Sequence, residues 1–186
     1  MAASLDFSLG GRTAVVTGAG SGIGAAIAQA FAAQGARVAL LDMNLAAATN
    51  AAAALPDAQA FACDVTDAAS ISAAVDAVTQ AFDGIDILVN SAGIVDLAPA
   101  EDLSDGAWTR TIAVNLTGSF LMAQAVGRGM IARAKGGRII NLASQAGSVA
   151  IEGHVAYCAS KFGIVGVTKT LALEWGGHGI TVNSIS

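Results

Sequence analysis

Three observations predict a doubly wound α/β fold, a parallel sheet covered by helices on both faces, for this chain of 186 residues. Short β-branched runs alternate with longer helical patterns from one end to the other. The strand candidates, such as "TAVVTG", "RVALLD" and "IDILVN", are continuous apolar runs rather than alternating ones, as expected of strands buried on both faces. A glycine-rich turn, "TGAGSGIG" (17–24), joins the first such run to the first helical pattern.

The elements follow in order. "TAVVTG" (13–18) reads as the first strand, and "GIGAAIAQAFAAQG" (22–35) as a helix that stops at Gly35. "RVALLD" (37–42) is the second strand; "LAAATNAAAAL" (45–55) is an alanine-rich helix stopped by Pro56. "AQAFACD" (58–64) is the third strand, and "DAASISAAVDAVTQAF" (67–82) a helix opened by an Asp cap, with apolar residues at helical spacing. A fourth strand, "IDILVN" (85–90), precedes a long helical stretch, 104–134. "RIINLAS" (138–144) is the fifth strand, 155–175 a helix, and "ITVNSIS" (180–186) the sixth strand. No linker, repeat or shift in composition divides the chain, so one domain over 1–186 is expected.

Composition narrows the function. Hydrophobic residues make up 54% and charged residues 12%, which supplies a sizeable core and excludes a disordered chain. So little charge also predicts that some surface is hidden by association. The net charge of −5 and the lack of any Lys/Arg run exclude a nucleic-acid-binding face. No stretch of 18 strongly apolar residues is present, so no membrane span is expected. The start, "MAASLDFSLGGR", lacks a basic segment followed by an apolar run, so no secretory signal is expected either. Cys63 and Cys158 match no metal-ligand spacing; no metal is expected, and they read as two reduced thiols of a cytoplasmic protein.

In this fold class ligands bind beyond the carboxyl ends of the strands, where the motifs cluster. Glycines at 18, 20, 22 and 24 let the backbone turn tightly and approach a ligand, and the helix that follows presents unpaired N–H groups suited to a pyrophosphate. A plain glycine-rich turn would look similar, and the common dinucleotide fingerprint fits only in the frame starting at Gly20, with Ala25 in last place. Asp42, closing the second strand, adds a carboxylate where an adenosine ribose would present its two hydroxyls. It would repel a 2′-phosphate, and no Lys or Arg lies nearby to attract one; NAD is therefore expected over NADP. The alternative for Asp42 is a helix cap.

The only tyrosine, Tyr157, stands four residues before Lys161 in "AYCASKFG". On a helix these positions share a face. A free phenol titrates near pH 10, and a unit charge at about 4 Å is worth about 4 kcal/mol at an effective dielectric of about 20. A cation there favours the phenolate, and a phenol so tuned can take a proton from an alcohol or return one to a carbonyl. A surface Tyr and Lys would share the spacing. Ser144, closing the fifth strand, can hold a substrate oxygen. Asn115, in "AVNLTG", is a poor helix former inside the long helical stretch.

From about residue 10 to the last residue the chain resembles the short-chain dehydrogenase/reductase family, in the combination "TGAGSGIG", "LLD", "CDV", "NSAG", "VNLTG", "NLAS" and "YCASK". The resemblance implies a Rossmann-type sheet and a catalytic tetrad of Asn115, Ser144, Tyr157 and Lys161. Tyr157 would be the acid/base, Ser144 would orient the substrate, Lys161 would also bind the nicotinamide ribose, and Asn115 would hold a water in a proton relay. Gly18, Gly22 and Gly24 resemble the glycine pattern, with Ser21 and Ile23 as further cofactor-binding positions. Asp42 resembles the NAD-selecting acid, and Asp64 and Val65 would flank the adenine. Asn90, Ala92 and Gly93 would line the cofactor's far side and stabilise the central sheet. Ser91 replaces the second Asn of the more usual "NNAG". Family members continue past "ITVNSIS" with a Pro-Gly turn, a substrate-covering lid, a seventh strand and further helix. The fold expected here therefore lacks the usual last strand and lid, and omission of a C-terminal portion from the sequence given is the favoured explanation.

The expected activity is hydride transfer between NAD and a secondary alcohol or ketone. Gln145, Glu152 and His154, between Ser144 and Tyr157, are polar groups suited to a hydroxylated substrate, and this stretch, with "EWGGHGITVNSIS", resembles the family's polyol dehydrogenases. The substrate-binding candidates are Ser144, Gln145, His154 and Tyr157, and a small polyol converted to a ketose is the expected reaction; for His154 an exposed loop position is the alternative. An NADP-linked oxoacyl reductase and a non-catalytic NAD-binding module are the competing readings. Family resemblance further implies a homotetramer.

Overall fold

The computed structural model describes residues 7–186; the expectation of no secretory signal falls partly on residues 1–6, outside the described residues. Six parallel strands form one sheet in the order β3-β2-β1-β4-β5-β6. They are β1 (Thr13–Thr17), β2 (Arg37–Asp42), β3 (Ala58–Ala62), β4 (Ile87–Asn90), β5 (Gly137–Leu142) and β6 (Ile180–Ile185). The helices between them are α1 (Gly22–Ala33), α2 (Leu45–Ala52), α3 (Ala68–Phe82), α4 (Asp105–Ile112), α5 (Ser119–Arg133) and α6 (Val155–Trp175). None of the described helices is long and apolar enough to cross a membrane.

Right-handed crossovers explain the layering. From β1 the chain steps one way to β2 and β3, which puts α1 and α2 on one face. There Ala14, Val16, Val38, Leu40 and Val89 pack against Ala28, Ala32 and Ala48. It then crosses to β4 and steps the other way, which puts α3, α5 and α6 on the opposite face. There Val15, Leu41, Leu88 and Ile139 meet Ile71, Val78, Met122, Met130 and Leu171. Small alanines on α1 and α2 allow those helices to lie close to the sheet. The direction reverses between β1 and β4, and at such a switch point the loops diverge and leave a crevice.

Burial on both faces holds for β1 and β4, which are buried throughout, and for the middle of β2. It does not hold at the edges. β3 is partly exposed along its length, and β6 alternates buried and exposed residues over Ile180–Asn183. An edge strand lacks a neighbour on one side and is less fully covered.

The long helical stretch expected over 104–134 is interrupted. Ala113–Gly118 forms a π-helical turn between α4 and α5, a local widening of the helix that frequently marks a functional site. The expected Asp cap of α3 is present, and the alternative reading of Asp42 as a cap is not. Asp67 caps α3 through Ala69 N–H, whereas α2 is capped by Asn44 and not by Asp42.

A buried polar pair crosses the sheet near the carboxyl ends of its central strands. Asn90 Nδ2 donates to Asn141 Oδ1 at 2.9 Å and to Ser119 O at 3.0 Å. Asn141 Nδ2 donates to Thr168 Oγ1 at 2.9 Å, and Thr168 Oγ1 donates to Ile164 O. These bonds tie β4, β5, α5 and α6 together where hydrophobic packing alone would permit sliding. An Asn141→Ala variant leaves buried polar groups with fewer partners, a loss of about 1–3 kcal/mol. Urea unfolding is expected to show a lower midpoint with an unchanged slope; an unchanged midpoint would refute a stabilising role for the pair.

Candidate active site

The crevice at the switch point is a cleft of about 380 Å³. Gly18, Ser21, Gly22, Ile23 and Gly24 line it from the turn after β1, Asp42 and Met43 from the end of β2, Cys63, Asp64 and Val65 from the end of β3, and Ala92 and Gly93 from the turn after β4. The sequence candidates Gly18, Ser21, Gly22, Ile23, Gly24, Asp42, Asp64, Val65, Ala92 and Gly93 therefore meet in one place, joined by Met43 and Cys63. Asn90 does not line the cleft; it lies beneath it, in the polar pair described above.

Backbone geometry explains two of the glycines. Gly18 has φ +63°, and a Cβ there would stand 2.8 Å from Ala92 Cα. At Gly24 a Cβ would stand 2.3 Å from the carbonyl oxygen of Gly18. A side chain at Gly18 would force apart the turns after β1 and β4, and one at Gly24 would push the start of α1 off the glycine turn itself. Thr17 completes the junction, because its Oγ1 accepts from Ser91 N–H at 3.0 Å and from Ala92 N–H at 3.1 Å.

The cleft carries a graded polarity. At one side is the N-terminus of α1, whose N-cap Ser21 makes no side-chain cap bond. Its first N–H groups and the positive end of the helix dipole are open to an anion. At the other side is the Asp42 carboxylate. Its Oδ2 accepts from Gly20 N–H and its Oδ1 from Asn44 N–H, each at 2.9 Å, so the carboxylate is held in place while each oxygen keeps a second lone pair. A diphosphate flanked by a diol matches that order. Next to it Asp64 Oδ1 accepts from Thr66 N–H and Oγ1 at 2.8 and 2.7 Å, and these bonds hold its carboxyl below the usual value. Burial, aided by Asp64 and Asp67, pushes the Cys63 thiol up to about 11, so Cys63 is a neutral wall group and no nucleophile.

Ile94 and Val114 close the cleft, and there Asn115 begins a second cluster. The Asn115 side chain is buried. Its Oδ1 accepts from Ile94 N–H and its Nδ2 donates to Ile94 O, both at 2.8 Å. The other Nδ2 hydrogen reaches Ser160 Oγ at 3.2 Å. Ser119 Oγ donates to the Asn115 carbonyl at 2.9 Å. The residue that disfavours an ordinary helix is thus the residue that fastens the π-helical turn to its surroundings.

On α6, Lys161 is buried, with its Nζ 5.5 Å from the centre of the Tyr157 ring. The ammonium does not bond the phenol. It donates to Leu142 O, the last carbonyl of β5, at 2.6 Å, and desolvation lowers its pKa below the ordinary 10.5. Ser144 stands two residues beyond β5 and caps a short 3₁₀ turn, Gln145–Gly147, by accepting from Ala146 N–H at 3.1 Å. Among the described residues the Ser144 hydroxyl only accepts, so its proton remains free to be donated. His154 stands edge-on to Tyr157, ring centres 6.3 Å apart, and its Nδ1 lies 2.7 Å from Glu152 O. A carbonyl only accepts, so Nδ1 carries a proton, and in the neutral imidazole Nε2 is left as an acceptor. Gln145 is exposed.

Sequence reasoning missed Thr17, Met43, Ser160 and the Leu142 carbonyl. The position of Ser160 within "YCASK" was its one available signal. Backbone carbonyls carry no signal in a sequence.

The family model described as "short chain dehydrogenase" matches residues 12–186. The chain is similar to the D-threitol dehydrogenase of Mycolicibacterium smegmatis, with 58% identity over all of this chain and 73% of that protein. It is 47% identical to the NAD-dependent glycerol dehydrogenase of Listeria innocua, over 97% of this chain and 71% of that one. The solved structure of an NAD⁺-bound xylitol dehydrogenase superposes with a TM-score of 0.92 at 39% identity, covering 95% of this chain and 70% of that one. Sequence identity at this level over nearly the whole chain goes with descent as well as shared shape, and the chain belongs to the short chain dehydrogenase family.

Proposed function

We propose that the protein oxidises one secondary hydroxyl of a small polyol to a ketone, reversibly, with NAD as its cofactor. The observation that carries this most is the bonded joint at Asn115, which connects the cleft wall at Ile94 to the helix bearing Tyr157 and Lys161. The names of the threitol and glycerol dehydrogenases to which the chain is similar support a polyol.

The nicotinamide, when bound, supplies the acceptor for the hydride. The uncapped start of α1, with Gly18, Ser21, Gly22, Ile23 and Gly24, would hold the pyrophosphate. Asp42 would bind the adenosine ribose through its spare lone pairs, and Asp64 and Val65 would flank the adenine. Ala92 and Gly93 form the opposite wall, which Asn90 supports from below.

Tyr157 Oη takes the proton of the reacting hydroxyl. The Lys161 cation, in a desolvated place where charge acts strongly, stabilises the phenolate. One of its three N–H groups is engaged by Leu142 O, leaving two for ribose hydroxyls. Ser144 donates its free hydroxyl proton to the substrate oxygen and so aims it at Tyr157. Asn115 sets the geometry of the proton path; its side chain is occupied by Ile94 and Ser160. His154 Nε2, an acceptor beside Tyr157, and the exposed Gln145 suit further hydroxyls of the substrate. We assign the whole of 1–186 to one dinucleotide-binding and catalytic domain. Its two free cysteines suit the reducing cytoplasm.

Removal of the phenol tests the chemistry. With NAD and a panel of linear polyols, simple secondary alcohols, hydroxyacyl thioesters and hydroxysteroids, polyols are the expected substrates. Tyr157→Phe is expected to lower kcat by roughly 10²–10⁴-fold. Turnover of thioesters or steroids alone would sink the polyol assignment. An undiminished Tyr157→Phe enzyme would sink the catalytic one.

Cofactor choice is tested at Asp42. Asp42→Asn keeps an acceptor for Gly20 N–H but removes the charge. NAD affinity is expected to fall about 10- to 100-fold, the worth of a charged hydrogen bond, while NADP affinity rises. A parent enzyme that prefers NADP would contradict the assignment.

Trp108 on α4 and Phe162 and Leu173 on α6 expose 42%, 48% and 85% of their surface. Together with the sparse charge, this supports a homotetramer. Light scattering of the intact protein at micromolar concentration is expected to give four times the protomer mass, and a monomer there would overturn the proposal.

A further inference from the structure

Ser160 is a bonding partner of Asn115, and its surroundings are specific. It is fully buried, and its hydroxyl makes two bonds whose directions are unambiguous. Asn115 Nδ2 can only donate, so Ser160 Oγ accepts from it at 3.2 Å. The Tyr157 backbone carbonyl can only accept, so Ser160 donates to it at 2.7 Å. The hydroxyl is thereby a one-atom bridge between the π-helical turn and the first turn of α6.

We propose that Ser160 is a positioning residue for the oxidation, fixing Tyr157 relative to Asn115 and hence to the cofactor cleft. The inference rests on Tyr157 being the proton acceptor. Three segments border the reacting centre: the turn after β4 at Ile94, the π-helical turn, and α6. Asn115 joins the first two through both of its bonds to Ile94. Among the hydrogen bonds of the described residues, only the Ser160 bridge extends that joint to the residue that carries the phenol. The neighbouring position, Lys161, is held separately by Leu142 O, so loss of the bridge would leave Lys161 anchored while the first turn of α6, which carries Tyr157, loses its tie to Asn115.

Thr168 provides the comparison. It lies two turns further along α6, is also buried, and also bridges by accepting from Asn141 and donating to Ile164 O. It anchors the helix at a place remote from the phenol. A bridge that only stabilises the fold should behave like Thr168, and a bridge that positions Tyr157 should not.

The test compares Ser160→Ala, Ser160→Thr and Thr168→Val with the parent and Tyr157→Phe in the intact protein. Polyol oxidation and unfolding midpoints are measured for each, and NAD dissociation constants by fluorescence titration. Ser160→Ala is expected to lower kcat about tenfold or more, with the NAD dissociation constant changed by less than about twofold, because chemistry tolerates sub-ångström misplacement poorly. Ser160→Thr, which restores the hydroxyl, is expected to recover most of kcat. Thr168→Val is expected to lower the unfolding midpoint and leave kcat near the parent value. Should Ser160→Ala fail to fold, Ser160→Cys, with a weaker acceptor of similar size, carries the same expectation. Parent-like kcat in Ser160→Ala, or in Ser160→Cys where Ala does not fold, overturns the proposal, as does a loss that Thr does not recover. Undiminished turnover by Tyr157→Phe would instead identify a failure of the catalytic assignment on which it rests.

Discussion

The amide of Asn115 is the constraint on which the site depends. Both of its hydrogens and its oxygen are engaged, twice by the backbone of Ile94 and once by Ser160. A buried amide with an unmet hydrogen bond is costly, so the side chain cannot relax in one direction without loss in another. Three segments far apart in sequence are held in register by that requirement. The regular helix gives way around it, and Ala113–Gly118 widens into a π-helical turn. The cleft ends where this joint begins, so its wall at Ile94 and the helix that carries Tyr157 and Lys161 share one connection.

Electrostatics divides the cleft by function. The start of α1 is positive through its dipole and open N–H groups, with no acidic side chain in its first turn. Asp42 is negative and is held by two N–H groups, one of them from the glycine turn itself. The same carboxylate thus shapes the loop and faces the cleft. The cleft thus offers opposite electrostatic preferences at its two sides.

Lys161 shows a burial cost accepted for a functional arrangement. Desolvation disfavours its charge, and one short bond to Leu142 O compensates in part. A lysine whose only task was stability would sit in solvent. Here the strand end that supplies the carbonyl also leads into Ser144, so the cation, the Ser144 hydroxyl and the sheet are connected through backbone.

The order of elements, the glycine turn, Asp42 at a strand end and the Tyr157–Lys161 spacing were legible in the sequence because each depends on neighbours within a few residues. Apolar runs, glycine conformations and helical periodicity are local properties of the chain. The parallel sheet followed from their alternation. Tertiary structure alone decided that Asn90 pairs with Asn141 beneath the cleft and that Lys161 turns to Leu142 O instead of to the phenol. It also decided that Asn115 clamps Ile94 and that Ser160 bridges to Tyr157. The Asn90, Lys161 and Ile94 contacts join residues 19 to 51 positions apart, and their partners are largely backbone groups or interchangeable polar side chains. A one-dimensional pattern identifies which residues are unusual, but hydrogen-bond satisfaction in a packed interior determines which atoms they meet.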